Sequence, residues 1–173
     1  MTTETLPALS SILWSSTWLH LSWRITALPS GHYRTTASRQ SQIGHVQLES
    51  SVFPSISDAW CNLASRWLSD TATIYDVAER RFRADLVAFM CGRRGFRPGS
   101  SALRQRAEQA RDDLYGMARS CGRDWLRLRE IAGNSVDSLA IPEWLDNAID
   151  DLAQPDQGGV TKLLVPDARH DAK

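Results

Sequence analysis

The sequence predicts a mainly α fold: a helical bundle around one long amphipathic helix at about 101–132, with a β-hairpin as one reading of its N-terminus. Three observations predict it. Apolar residues between 101 and 132 keep a helical period for about nine turns of 3.6 residues. Shorter stretches at 54–91 and 142–152 repeat that period. Residues 17–26 instead alternate apolar with polar, the period of a strand.

At 173 residues and 42% apolar content, the chain has the length and composition to bury a core. One domain is expected over 1–153, with 1–53 as the hairpin subregion and 54–153 as a helical body. A flexible acidic tail is expected at 154–173, where Val160–Val165 is a short apolar run.

Leu19, Leu21, Trp23 and Ile25 fall on one face of the N-terminal strand, and Pro29-Ser30-Gly31 closes it. Residues 43–52 form a second strand candidate, and the polar stretch 32–42 reads as the loop between the two. A helix over 9–25 competes with the strand reading, because Leu9, Ile12, Leu13 and Trp14 precede the alternation.

The helical body begins near Pro54, capped by Ser55 or Ser57. Ile56, Trp60, Leu63, Trp67 and Leu68 mark its first helix. Ser69-Asp70-Thr71 reads as an interruption that caps a second helix carrying Ile74, Phe82, Leu86 and Phe89 to about Cys91. Gly92 and Gly95 end it. In the long helix, Leu103, Ala107, Leu114, Ala118, Cys121, Trp125 and Leu128 share an arc of roughly 100° at 100° per residue. Gly116 and Gly122 lie off that stripe. At about 1.5 Å per residue the helix spans about 48 Å, longer than a compact core, so one end is expected to meet a partner. Gly133-Asn134 stops it. A last helix starts at Pro142, with Trp144, Leu145, Ala148, Ile149 and Leu152 inward and Glu143, Asp146, Asp150 and Asp151 outward.

Net charge is zero, but it is unevenly laid out. Residues 78–130 carry 13 Arg against 7 acids, and residues 131–173 carry 3 basic against 8 acidic groups. Such a split steers a polyanion to one face, unless the two segments pair with each other. On the outer side of the long helix lie Arg104, Arg111, Arg119, Arg123 and Arg127, with Tyr115 among them. The preceding loop adds Arg93, Arg94 and Arg97 beside Phe96. Guanidinium groups neutralise phosphates and aromatic rings stack on bases, so this composition suits single-stranded, sequence-independent nucleic-acid binding. A solvated helix face is the simpler reading, since Glu108 stands within one turn of both Arg104 and Arg111. Arg81 and Asp85, four residues apart, read as a partly buried ion pair.

Nothing in the sequence marks a catalytic centre, a cofactor or a metal. His20, His32, His45 and His170 have no ligand spacing, and only His20 with His45 could approach across a hairpin. The cysteines are Cys61, Cys91 and Cys121, an odd number without a CxxC pair, as expected in a reducing, cytoplasmic setting. Cys91-Gly-Arg-Arg-Gly lacks the lysine of a phosphate-binding loop. No membrane span is expected, since the apolar stretch 9–28 holds His20 and Arg24. Seven Trp residues are many for this length. Trp14 and Trp18 crowd the N-terminus as candidate partner anchors.

In general character the helical body, with its arginine-rich face, resembles the small helical subunits of multi-subunit nucleoprotein complexes, of which CRISPR effector small subunits are one group. The resemblance covers residues 54–153 and implies a non-enzymatic, RNA- or DNA-contacting subunit with protein partners. The alternative expectation is a protein-protein interaction module, an adaptor, inhibitor or phage-type accessory protein, using the Trp-rich N-terminus or the acidic helix 142–153.

Overall fold

The computed structural model describes residues 10–42, 44–94 and 100–153. It corrects the expected mainly α bundle: the fold is mixed, a four-stranded antiparallel sheet followed by two long helices and a short third one. The strands are β1 (Ser11–Trp18), β2 (Leu21–Ala27), β3 (Tyr33–Ser41) and β4 (Gly44–Phe53), neighbours in chain order. The helices are α1 (Ile56–Arg94), α2 (Ser100–Ala132) and α3 (Glu143–Ala153). The expected tail at 154–173 and the loop residues Phe96 and Arg97 lie outside the described residues.

The expected hairpin is thus half of a four-stranded meander. Residues 33–41 form β3 instead of a loop, paired with β2 and β4. The alternation at 17–26 also straddles a turn. Trp18 pairs with Leu21, so Leu19 and His20 connect β1 to β2. The helix that competed for 9–25 is absent among the described residues. Pro29-Ser30-Gly31 does close β2: Gly31 has φ +78°, and its N–H donates to the Leu28 carbonyl.

One sheet face is buried. Trp14, Leu21, Trp23, Ile25 and Ala37 point from it into the core, where Ala59, Leu63, Ala64 and Trp67 of α1 meet them. Each strand is also tied to a helix by a side-chain hydrogen bond. Ser16 on β1 donates to Asp124 of α2, and Trp23 Nε1 on β2 donates to Asp70 of α1 at 2.9 Å. Thr35 on β3 donates to Asn62 at 3.0 Å, and Glu49 on β4 accepts from Arg66 at 3.0 Å. The Ser16, Trp23 and Thr35 bonds satisfy polar groups that burial would otherwise penalise, and all four fix which strand lies over which turn of helix.

They also explain the largest helical discrepancy. Ser69-Asp70-Thr71 does not break the helix, and α1 runs unbroken for 39 residues. Asp70 turns to Trp23 and Arg66. The fully buried Thr71 hydroxyl donates to the carbonyls of Trp67 and Leu68 in the preceding turn. Ser55 does cap α1, its Oγ accepting the Asp58 N–H.

α2 runs antiparallel to α1, and the two stay in contact along their length. Trp67 stacks on Trp125 at 5.8 Å near the sheet, and Asp85 pairs with Arg106 at 3.0 Å farther out. Phe82, Phe89, Ala107 and Leu114 are buried outside the sheet-facing core cluster, so the helical hairpin continues past it. The amphipathic reading of α2 is matched by the burial of Ala107, Leu114, Ala118, Cys121, Trp125, Leu128 and Ala132. Gly133 ends α2 with φ +55°, the left-handed conformation common just past a helix C-terminus.

α3 packs on α2 opposite the sheet. Asp124 meets the sheet and Gly122 meets α3, and residues two apart are about 200° apart around a helix. Gly122, read in the sequence as lying off the apolar stripe, is therefore a close-approach position. A Cβ there would sit 3.0 Å from Leu152 Cδ1 and 3.5 Å from the Ala148 carbonyl group. A Cβ on Gly116 would meet nothing within 4 Å. Gly116→Ala is expected to stabilise by about 1 kcal/mol through helix propensity. Gly122→Ala is expected to destabilise by about 1 kcal/mol as crowding outweighs the same gain. Urea denaturation of both variants should place the wild type between them.

Candidate nucleic-acid interface

The outer flank of α2 holds the arginines singled out in the sequence, and they are not equivalent. Arg104 donates to Glu108 at 2.7 Å, and Arg111 donates to its neighbour Asp112 at 2.8 Å. Both are already in local ion pairs. Arg119 lies with its guanidinium carbon 5.6 Å from the Tyr115 ring centroid, and its Nε is buried without a hydrogen-bond partner among the described residues. Arg123 and Arg127 are exposed on successive turns and make no ion pair among the described residues. Tyr115 and Leu126 are exposed beside them. The ridge is thus Arg119, Arg123 and Arg127 with two apolar neighbours, shorter than the sequence suggested. Arg93 and Arg94 belong to the last turn of α1; Arg97 lies outside the described residues.

The basic and acidic segments do not neutralise each other across α2 and α3. The one described ion pair between residues 78–130 and 131–153 joins Arg129 to Asp137 at 3.3 Å. Glu143 and Asp151 instead flank a groove of about 570 Å³ between α1, α2 and α3, where Tyr75 stacks on Trp144 at 4.2 Å and Arg119 forms part of the wall. Burial, followed by the nearby Glu79 carboxylate, raises the Tyr75 pKa above its ordinary value. The phenol therefore stays protonated in neutral solution.

Other candidate sites resolve differently. Asp85 takes Arg106 of α2 as its partner, whereas Arg81 is exposed with no ion pair among the described residues. His20 and His45 are separated by β3 in the sheet order, and no group of three metal-ligating side chains occurs among the described residues. Burial, with Asp124 adding to it, pushes the Cys121 thiol up to about 12, which makes it a poor nucleophile. Trp14 is 2% exposed in the core, so it cannot serve as a partner anchor; Trp18 is half-buried against the same core. No described helix is long and apolar enough to cross a membrane.

No family model matches this chain. No curated protein and no solved structure matches it either. Its sequence and geometry therefore carry the functional argument.

The sequence missed the partners of Arg106 and the role of Asp70, because each depends on contacts between distant segments. The i,i+4 pair Arg104–Glu108 was legible from spacing alone.

Proposed function

We propose that this chain is a non-enzymatic subunit of a larger nucleoprotein assembly, and that the outer flank of α2 holds single-stranded nucleic acid without reading its sequence. The observation that supports this reading most is the pair Arg123 and Arg127. Both are exposed on successive turns of an unbroken helix and uncommitted to any described carboxylate. Two guanidinium groups one turn apart, about 6 Å, suit adjacent phosphates. Leu126 offers apolar surface for a base beside them, and Tyr115 offers a ring about two turns back along the helix from Arg123.

The experiment is fluorescence anisotropy of the purified protein with 12-nucleotide single-stranded RNA and DNA at 50 and 200 mM salt. Two to three neutralised phosphates give a slope of about −2 in log affinity against log salt, so the fourfold rise in salt should weaken binding about tenfold. The double variant Arg123→Glu with Arg127→Glu should weaken binding at least tenfold with an unchanged thermal melt. Binding indifferent to salt and to both substitutions would sink the reading.

A second reading, a protein-interaction module, is favoured by β4. This ten-residue strand lies at one edge of the sheet and exposes Val46, Leu48 and Val52. Among the described residues its outer edge has no partner strand, and such an edge with apolar side chains is a template for strand addition by another chain. That reading no longer rests on Trp14.

A further inference from the structure

The molecule carries two exposed rows of like charge, one basic on α2 and one acidic on α3. We propose that these rows meet between copies: the acidic face of α3 in one molecule docks on Arg123 and Arg127 of a second.

The first observation is that both rows lack counter-charges. Arg123 and Arg127 are exposed, and so are Glu143, Asp146 and Asp150. None of the five makes an ion pair among the described residues. Residues 131–153 hold five carboxylates and no basic residue, so α3 finds no cation on its own segment. Nor do the rows meet within one molecule. α3 packs on the Gly122 side of α2, and Arg123 lies about 100° round the helix from there.

The second is that each row works against its own helix. Arg123 and Arg127 stand four residues apart, as do Asp146 and Asp150, and like charges at that spacing repel. Asp150 also stands in the last turn of α3, where the helix dipole disfavours a carboxylate and no basic residue offsets it. Helix stability accounts for Glu143 in the first turn but not for the row it begins. A row of opposite charge on another molecule relieves both helices at once.

The third is fit. Each pair spans four residues of helix, about 6 Å, so two guanidinium forks match two carboxylates in length. Leu126, 40% exposed beside Arg127, adds apolar area to the contact. The chain's net charge is zero, so no overall repulsion keeps copies apart. A contact made mostly of exposed ion pairs is weak and screened by salt.

Sedimentation equilibrium of the full chain, freed of nucleic acid by nuclease, tests this at 50 and 500 mM salt. The average mass should exceed the 19.4 kDa monomer at the lower salt and return to it at the higher. Asp146→Lys with Asp150→Lys should be monomeric at both, as should Arg123→Glu with Arg127→Glu, each with an unchanged thermal melt. Mixed together, these two variants should associate again, because each row then faces its opposite. Arg24→Glu with Arg34→Glu makes the same charge change on exposed sheet residues and should associate at least tenfold more tightly than the Arg123 and Arg127 variant. A wild type that is monomeric at 50 mM salt, association indifferent to salt, equal behaviour of the two arginine variants, or no association in the mixture would overturn the proposal. The contact does not rest on nucleic-acid binding, although phosphate would compete for the same two arginines. The Asp146 and Asp150 variant should lose self-association and keep its affinity for single-stranded RNA, so the two readings fail separately.

Discussion

Trp125→Ala is expected to cost about 4 kcal/mol, the range for removing a buried tryptophan from a packed core. Trp125 is 3% exposed and stacks on Trp67 at 5.8 Å with 21° between the rings. That stack joins α1 to α2 beneath the sheet, so the loss combines transfer free energy with a cavity that two long helices cannot easily close. Domains of this size are stable by about 5–15 kcal/mol, and the variant should be marginal. Urea denaturation followed by far-ultraviolet circular dichroism measures the loss. Trp125→Phe keeps a ring in place and should lose less than half as much. A loss under about 1.5 kcal/mol for the alanine variant would contradict the packing described above.

Asp70→Ala should cost about 2–3 kcal/mol although it removes little apolar area. Its carboxylate accepts both from Trp23 Nε1 and from Arg66 Nε, each at 2.9 Å. Arg66 is partly exposed and keeps Glu49, so it has a fallback. Trp23 is 1% exposed and has none, and its N–H would be stranded in the core. The penalty therefore arises chiefly from the sheet side. A double-mutant cycle isolates it: in a Trp23→Phe background, where no N–H remains, Asp70→Ala should cost at least 1 kcal/mol less. Equal costs in both backgrounds would show that the Asp70–Trp23 bond carries no stability.

The parts of this fold that were legible in the sequence are those with a long, clean period. α2 fits its predicted span within one residue, because its apolar residues recur over many turns and tolerate two glycines. α3 fits too, with Pro142 supplying the carbonyl that opens it to Leu145 and Asp146. β3 was illegible for a physical reason. Its inward positions beyond Tyr33 are Thr35 and Ala37, one small and one polar, so burial leaves no hydrophobic alternation to read. The β1–β2 turn was hidden because its positive-φ position is Leu19, where glycine, asparagine or aspartate would have signalled a turn. The false break at residues 69–71 came from residues that also favour helix caps, used here for contacts across layers instead.

The arginine ridge was half legible. Spacing placed Arg123 and Arg127 on the solvent side and paired Arg104 with Glu108. The Tyr115–Arg119 contact has that same four-residue spacing on one helix. Spacing could not show that Arg106 reaches across to α1, since that outcome depends on which helix lies alongside.

The strand order has a kinetic consequence. Every strand pairs with the one made just before it, and α2 pairs with α1 in the same way. Contacts between neighbours in sequence need little loop closure, which favours rapid folding. Yet a nascent chain that had reached Phe53 would already hold its meander while Trp23 and Ile25 had nothing to cover them. Until the first four turns of α1 left the ribosome, that face would be sticky, and slow emergence of residues 54–71 would be its most hazardous interval.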